Sequence, residues 1–229
     1  MRYGTVLLTA VCLTAGLATA QAQNPPAQQP PAQQGAPAAA ATEGPTEVVQ
    51  TAAQGMLQAL DKDRDAYRRD PAKVGQLVDK FLLPHFDTEF SARLVLGQHW
   101  RDATPDQRQR FINAFYRSLL NNYGAALSDF TSDRLKIFPT KVDPDTTRAT
   151  VRTEVKRDNG DRVAVNYYLH KTPQGWKAWD VVIDGISYVN SYREDFGPQI
   201  EQHGIDSVIQ RLESGEKPES IGKQTSGKS

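Results

Sequence analysis

Apolar residues recur at helical spacing in the first half of this chain and at alternate positions in the second. Val48, Val49, Ala52, Met56 and Leu60 mark one helix. Asp70-Pro71 reads as an N-cap with proline at the first helical position, and Val74, Leu77, Val78, Phe81 and Leu82 follow until Pro84 stops the run. A third helix is predicted from Asp87, with Phe90, Leu94 and Val95 on one face and Gly97 at its end. Thr104-Pro105-Asp106-Gln107 combines a capping box with an N1 proline. It opens an aromatic stripe of Phe111, Phe115, Leu119, Tyr123, Leu127 and Phe130.

From Leu135 the period becomes two. Leu135 and Ile137 make a short edge strand, and Ala149, Val151, Thr153 and Val155 alternate with charged or polar neighbours. Asn159-Gly160 signals a hairpin, after which Val163, Val165, Tyr167 and Leu169 alternate back. A last strand runs from Trp176 to Ile183, and Asp184-Gly185 leads into a helix through Ile186, Val189, Tyr192 and Phe196. Ile205, Val208, Ile209 and Leu212 form a final short helix. The pattern predicts an α+β fold: an antiparallel meander of about four strands, polar on one face, with helices packed on the apolar one as a half-open cone.

Composition changes the picture at the ends. The first residues carry Arg2, an apolar stretch from Val6 to Ala18, and small residues at Ala18, Ala20 and Ala22. That is the layout of a signal peptide, 1–22, with cleavage after Ala20 or Ala22. The stretch is short for a membrane span. Residues 23–45 are rich in Pro, Gln and Ala and read as a disordered leader, 214–229 as a disordered tail, leaving 46–213 as the folded domain. Cys12, the sole cysteine, would leave with the signal, so the exported chain is expected to hold together without disulfides. Lys and Arg total 27 and so do Asp and Glu, which removes the basic excess that nucleic-acid binding calls for.

Candidate chemistry is sparse. His85, His99, His170 and His203 show no metal-ligand spacing, so no metal is expected. No P-loop, GxGxxG or GxSxG occurs. Asp180 and Asp184 flank an apolar run and could do acid/base work with Tyr167 or Tyr188 as donor, as in a ketosteroid-isomerase-like pocket enzyme. Their simpler roles are solvent exposure for Asp180 and a turn or helix cap for Asp184. A third reading is a passive envelope adaptor with a solid core.

Two stretches carry a resemblance: "LGQHWRDATPDQRQRFINAFYRSLLNNYGAAL" (Leu96 to Leu127) and "WKAWDVVIDGISYVNSYREDF" (Trp176 to Phe196). The order of a tryptophan-bearing strand, V-x-I-D-G-I-S and N-S-Y-R-x-x-F resembles the MlaC-type periplasmic phospholipid carriers, also called the toluene-tolerance Ttg2 family. It spans about residues 47–213. The Pro/Gln/Ala leader is not part of that pattern.

The resemblance implies a periplasmic carrier rather than an enzyme, NTF2-like in outline, with acyl chains in a deep apolar pocket and the head group near its mouth. Phospholipid would be the cargo, with no cofactor. An inner-membrane MCE-domain ABC transporter complex and an outer-membrane lipoprotein–porin complex would be the partners, and outer-membrane lipid asymmetry the outcome. A monomer is expected. One acyl chain represents roughly 10 kcal/mol of opposition from water, so its pocket must be dry. Helix face and strand parity nominate Phe111, Phe115, Leu119 and Tyr123 on the long helix as its lining. They add Val151, Val165, Tyr167 and Ile183 on the strands, with Ile186 and Val189 after the last turn.

Overall fold

The computed structural model describes residues 43–128, 131–157 and 159–215, and gives a few helical positions, Tyr123 among them, by backbone alone. The expected signal peptide, most of the leader, Phe130 and all but the first two residues of the tail lie outside that range. Helix α1 (Pro45–Lys62) starts one residue before the expected boundary, with proline in its first turn. It is followed by α2 (Arg64–Arg69), α3 (Pro71–Phe81), a 3-10 turn at Leu83–His85, α4 (Thr88–Leu96), α5 (His99–Asp102) and α6 (Pro105–Ser128). Helices α2 and α5 are too short to show a period, so the apolar pattern did not announce them.

The signals expected at the ends of α4 and the start of α6 are present. The Asp87 carboxylate accepts from the Phe90 amide at 2.9 Å, and Gly97 ends α4 at φ 56°. At α6 the capping box closes both ways: Gln107 N donates to Thr104 Oγ1 (3.2 Å), and Thr104 N donates to Gln107 Oε1 (3.0 Å). Gly55, inside α1, has a structural reason. A Cβ there would meet the Phe81 ring at 2.5 Å, so its absence lets α1 and α3 close on each other.

The sheet is an open antiparallel meander in the order β1-β2-β3-β4-β5. Its strands are β1 (Leu135–Ile137), β2 (Arg148–Lys156), β3 (Arg162–Thr172), β4 (Gly175–Ile183) and β5 (Ile186–Ser187). The α+β class and the meander are as expected, with a two-residue fifth strand added. Asp184 (φ 49°) and Gly185 (φ 85°) both have positive φ between the paired residues Ile183 and Ile186, the geometry of a tight Asp-Gly hairpin. Ile186 therefore belongs to β5, and α7 (Tyr188–His203) starts only after Ser187. Pro198 sits inside α7 without ending it, and α8 (Ile205–Glu213) follows Gly204.

Two sequence expectations are overturned here. Asp184 is a turn residue but not the helix cap. Its carboxylate accepts from the Ala164 amide (3.2 Å), and Ser187 caps α7 by accepting from Asn190 N (3.1 Å). Asp180 is not exposed: only 4% of its surface is accessible. One carboxylate oxygen accepts from Ser187 Oγ (2.6 Å) and the other from Val189 N (3.1 Å). A buried carboxylate is tolerable there because the start of a 16-residue helix offers amides and a favourable dipole.

Apolar side chains gather in three clusters. The first joins α4, α6, α7 and α8 through residues such as Leu96, Phe111, Phe115, Tyr192, Phe196 and Ile209. The second sets Val48 and Val49 of α1 on Val151, Leu169, Trp176 and Ala178 of the sheet. The third ties α1 to α3 through Met56, Leu60, Val74, Leu77 and Val78. The face of β2 and β3 that bears Arg148, Arg152 and Arg162 is open to solvent. At β4, where the register shifts beside Tyr168 and Leu169, α4 and α7 close over the sheet edge and bury Val182.

Candidate functional site

Strand register sets two rows across the apolar face of the sheet. Val151, Tyr167 and Val181 stand opposite one another, and Thr153, Val165 and Ile183 form the next row. Six such positions should make an ordinary dry core. Val151, Thr153 and Val165 do, but Tyr167, Val181 and Ile183 remain only half-buried. Thr153 adds no free polar group, since its hydroxyl donates to Val165 O at 2.6 Å.

Tyr167 is the informative member. Desolvation pushes its phenol pKa up, so protein surrounds it, yet its side chain keeps accessible surface. Its hydroxyl has no hydrogen-bond partner among the described residues.

The helices opposite show the same incompleteness. The principal neighbours of α6 are α8, α3 and α4, and no strand is among them. Its Ile112, Tyr116, Leu119 and Leu120 are half-buried, as are Phe81 and Leu82 at the end of α3. Tyr116 is anchored outward by its hydroxyl, which donates to Asp79 at 2.8 Å. Desolvation and then that bond raise its pKa far above the ordinary range. A filled core would merge the sheet cluster with the α1–α3 cluster. Here they stay separate, with half-buried apolar side chains at their margins.

The nominated residues divide accordingly. Tyr167 and Ile183 lie at the half-buried rows with Val165, and Leu119 lies at the margin of the first cluster. Val151 is fully buried under α1. Phe111, Phe115 and Val189 sit in the solid aromatic cluster, where the Phe115 and Tyr192 rings meet edge-on at 4.8 Å. Ile186 is 37% exposed on β5, and the Tyr123 side chain lies outside the described residues. Val181 was missed because the uninterrupted run Val181-Val182-Ile183 hides its parity; counting back from Ile183 would have found it.

Asp180 and Tyr167 do not come together. Asp180 shares a face with Tyr168 by register, and Tyr167 lies on the opposite face. Asp184 is exposed at its turn. Among the described residues, no group of three or more His, Cys, Asp and Glu could hold a metal ion, and no helix is long and apolar enough to cross a membrane. His170 is a structural residue: its Nε2 lies 2.9 Å from Asp87, and its ring lies 4.5 Å from that of Phe90. Beside this pair an open depression of about 470 Å³ is walled by Asp87, Glu89, His170, Lys171 and Lys177.

These features define an α+β protein whose open meander carries half-buried apolar side chains on the face turned toward its helices. The chain belongs to the MlaC family: the model of that family, described as MlaC protein, matches residues 50–214. It is 30% identical over 167 residues to the toluene tolerance protein ttg2D of Pseudomonas putida, covering 72% of this chain and 77% of that one. It is 22% identical over 178 residues to the intermembrane phospholipid transport system binding protein MlaC of Haemophilus influenzae, covering 76% and 83%. A phospholipid-binding protein from Ralstonia solanacearum, solved in complex with a phospholipid, superposes with a TM-score of 0.68 at 30% identity. The match covers 73% of this chain and 94% of that one.

Proposed function

We propose that this protein is a soluble periplasmic phospholipid carrier, exported by a cleaved signal peptide, and that it holds acyl chains against the inward rows of its sheet. The observation that carries the reading is the half-buried set Tyr167, Val181 and Ile183 on a face whose pattern calls for solid core. Leu119 and Leu120 of α6 and Phe81 of α3 supply the facing wall. The Tyr167 hydroxyl, lacking a protein partner, donates to an oxygen of the lipid's ester region. The phospholipid in the Ralstonia solanacearum relative and the names of the other two support the choice of cargo.

The protein does no chemistry on its cargo. Its Asp180 is fully engaged by Ser187 and α7, and is turned away from Tyr167. The carrier exchanges phospholipid between an outer-membrane lipoprotein–porin complex and an inner-membrane MCE-domain ABC transporter complex. That traffic maintains outer-membrane lipid asymmetry. Burying one chain is worth roughly 10 kcal/mol, enough to keep lipid off water and on the protein until a partner accepts it.

The test is mass spectrometry of protein purified without detergent, followed by incubation with labelled phospholipid vesicles and the reconstituted inner-membrane complex. Bound phospholipid near one molecule per chain, released to the complex, is expected. Protein that is empty as purified and takes no lipid from vesicles would overturn the reading.

A further inference from the structure

The sheet has a second face that lipid storage does not use. Opposite the apolar rows, Lys136, Arg148, Arg152, Lys156, Arg162 and Lys177 occupy outward positions on neighbouring strands. All but the half-buried Lys177 are exposed. Register lines up Arg148, His170 and Lys177 in a single cross-strand row, which places a permanent cation on either side of the imidazole.

The acids nearby are mostly committed. Glu154 binds Arg162 at 3.2 Å, Asp87 holds His170, and Asp180 is buried under α7. Asp133 is held below the usual carboxylate range chiefly by a hydrogen bond with Thr131, with Arg134 and Lys156 adding smaller pulls. Glu89 lines the neighbouring depression. Among the described residues Arg148, Arg152 and Lys177 have no ion-pair partner. The chain as a whole is neutral, so this is segregation of charge and not a general excess.

We propose that the outward face of β2 and β3, with Lys177 at the start of β4, is a docking surface for an anionic phospholipid bilayer. Three features select a lipid surface over an acidic protein. The array is broad, with cations spaced by strand separation in one direction and by alternate residues in the other. Between the cations lie Thr150, Ala164 and Asn166, with the half-buried Tyr168 as the one large ring, in place of the broad apolar centre that protein interfaces build. Charge alone draws such a face to anionic head groups, with no insertion required. The depression walled by His170, Lys171 and Lys177 gives this face one concave point, wide enough for a single head group. The choice of a lipid surface rests on the carrier reading, since a carrier gains from lying flat on the membrane that supplies its cargo.

The experiment is flotation of the purified protein with vesicles of phosphatidylcholine alone or with roughly one-third phosphatidylglycerol, at about 0.05 M and about 0.5 M salt. Binding to the anionic vesicles at low salt is expected, with loss at high salt and none to phosphatidylcholine. The combined variant Arg148→Gln, Arg152→Gln and Lys177→Gln should bind at least about tenfold more weakly. A control removing Lys62, Lys73 and Arg69 on the helices should bind like the parent. Circular dichroism and the content of co-purified lipid, measured on both variants, separate docking from folding and from cargo binding. Wild-type protein that ignores anionic vesicles, or a triple sheet variant that binds them as well as the parent, overturns the docking surface. Protein that floats yet is empty as purified and takes no lipid from the vesicles overturns the carrier reading and leaves docking in place.

Discussion

Between α4, α6, α7 and α8, aromatic rings meet stacked or edge-on at centroid distances of 4.8 to 6.2 Å, and Phe111 has no accessible surface. Across the inward rows of the sheet, by contrast, Tyr167, Val181 and Ile183 have apolar neighbours along their strands and incomplete cover above them. The same residue types do two jobs in one chain. Where four helices converge, the side chains complete one another. Along the inward rows of the sheet, half-buried apolar side chains stand beside buried ones. Stability should therefore concentrate in the helical quartet and ligand response in the sheet.

The sharpest break of that comparison is Phe111→Ala. It should lower the unfolding free energy by about 3–5 kcal/mol, read by denaturant titration, because the cavity forms among side chains that cannot collapse. Asp180→Ala comes next, at about 2–3 kcal/mol, since it strips partners from Ser187 Oγ and Val189 N at the start of α7. Ser187→Ala removes the cap on the same helix and should cost about 1 kcal/mol in the same assay.

Tyr167→Phe should change stability least, within about 0.5 kcal/mol at neutral pH, yet lower the lipid retained through purification several-fold. It should also alter the alkaline limb. The buried phenol has a raised pKa, so it stays neutral when the unfolded chain begins to ionise near pH 10. Stability of lipid-free protein is therefore complete below about pH 10 and falls as pH rises past it. The variant should show a shallower fall, with the Tyr116 contribution remaining. A Tyr167→Phe protein that loses several kcal/mol and keeps its lipid would reverse the assignment of the two regions.

Much of this architecture could be read from residue order. The capping box at Thr104 and Gln107, the N-cap at Asp87, the stop at Gly97 and the strand alternation from Ala149 to Leu169 all formed as their local chemistry directs. The failures have local causes too. Asp184-Gly185 satisfied both a turn rule and a helix-start rule, and the backbone took the turn, leaving Ser187 to cap. Asp180 looked exposed because strand parity carries no information about a helix folding back over the edge. The site was the least legible part. A buried valine and a half-buried one have identical side chains, so Val151 and Val181 read alike until the position of α1 distinguished them.

Strand order has a kinetic consequence. In a meander each strand pairs with the next one made, so the sheet closes through short loops and little entropy. The first helix is in the opposite position. Val48 and Val49 must wait for Val151, Leu169 and Trp176, more than a hundred residues downstream. By that logic α1 is the last element to dock and the first to leave, and the chain begins with the piece that finishes it.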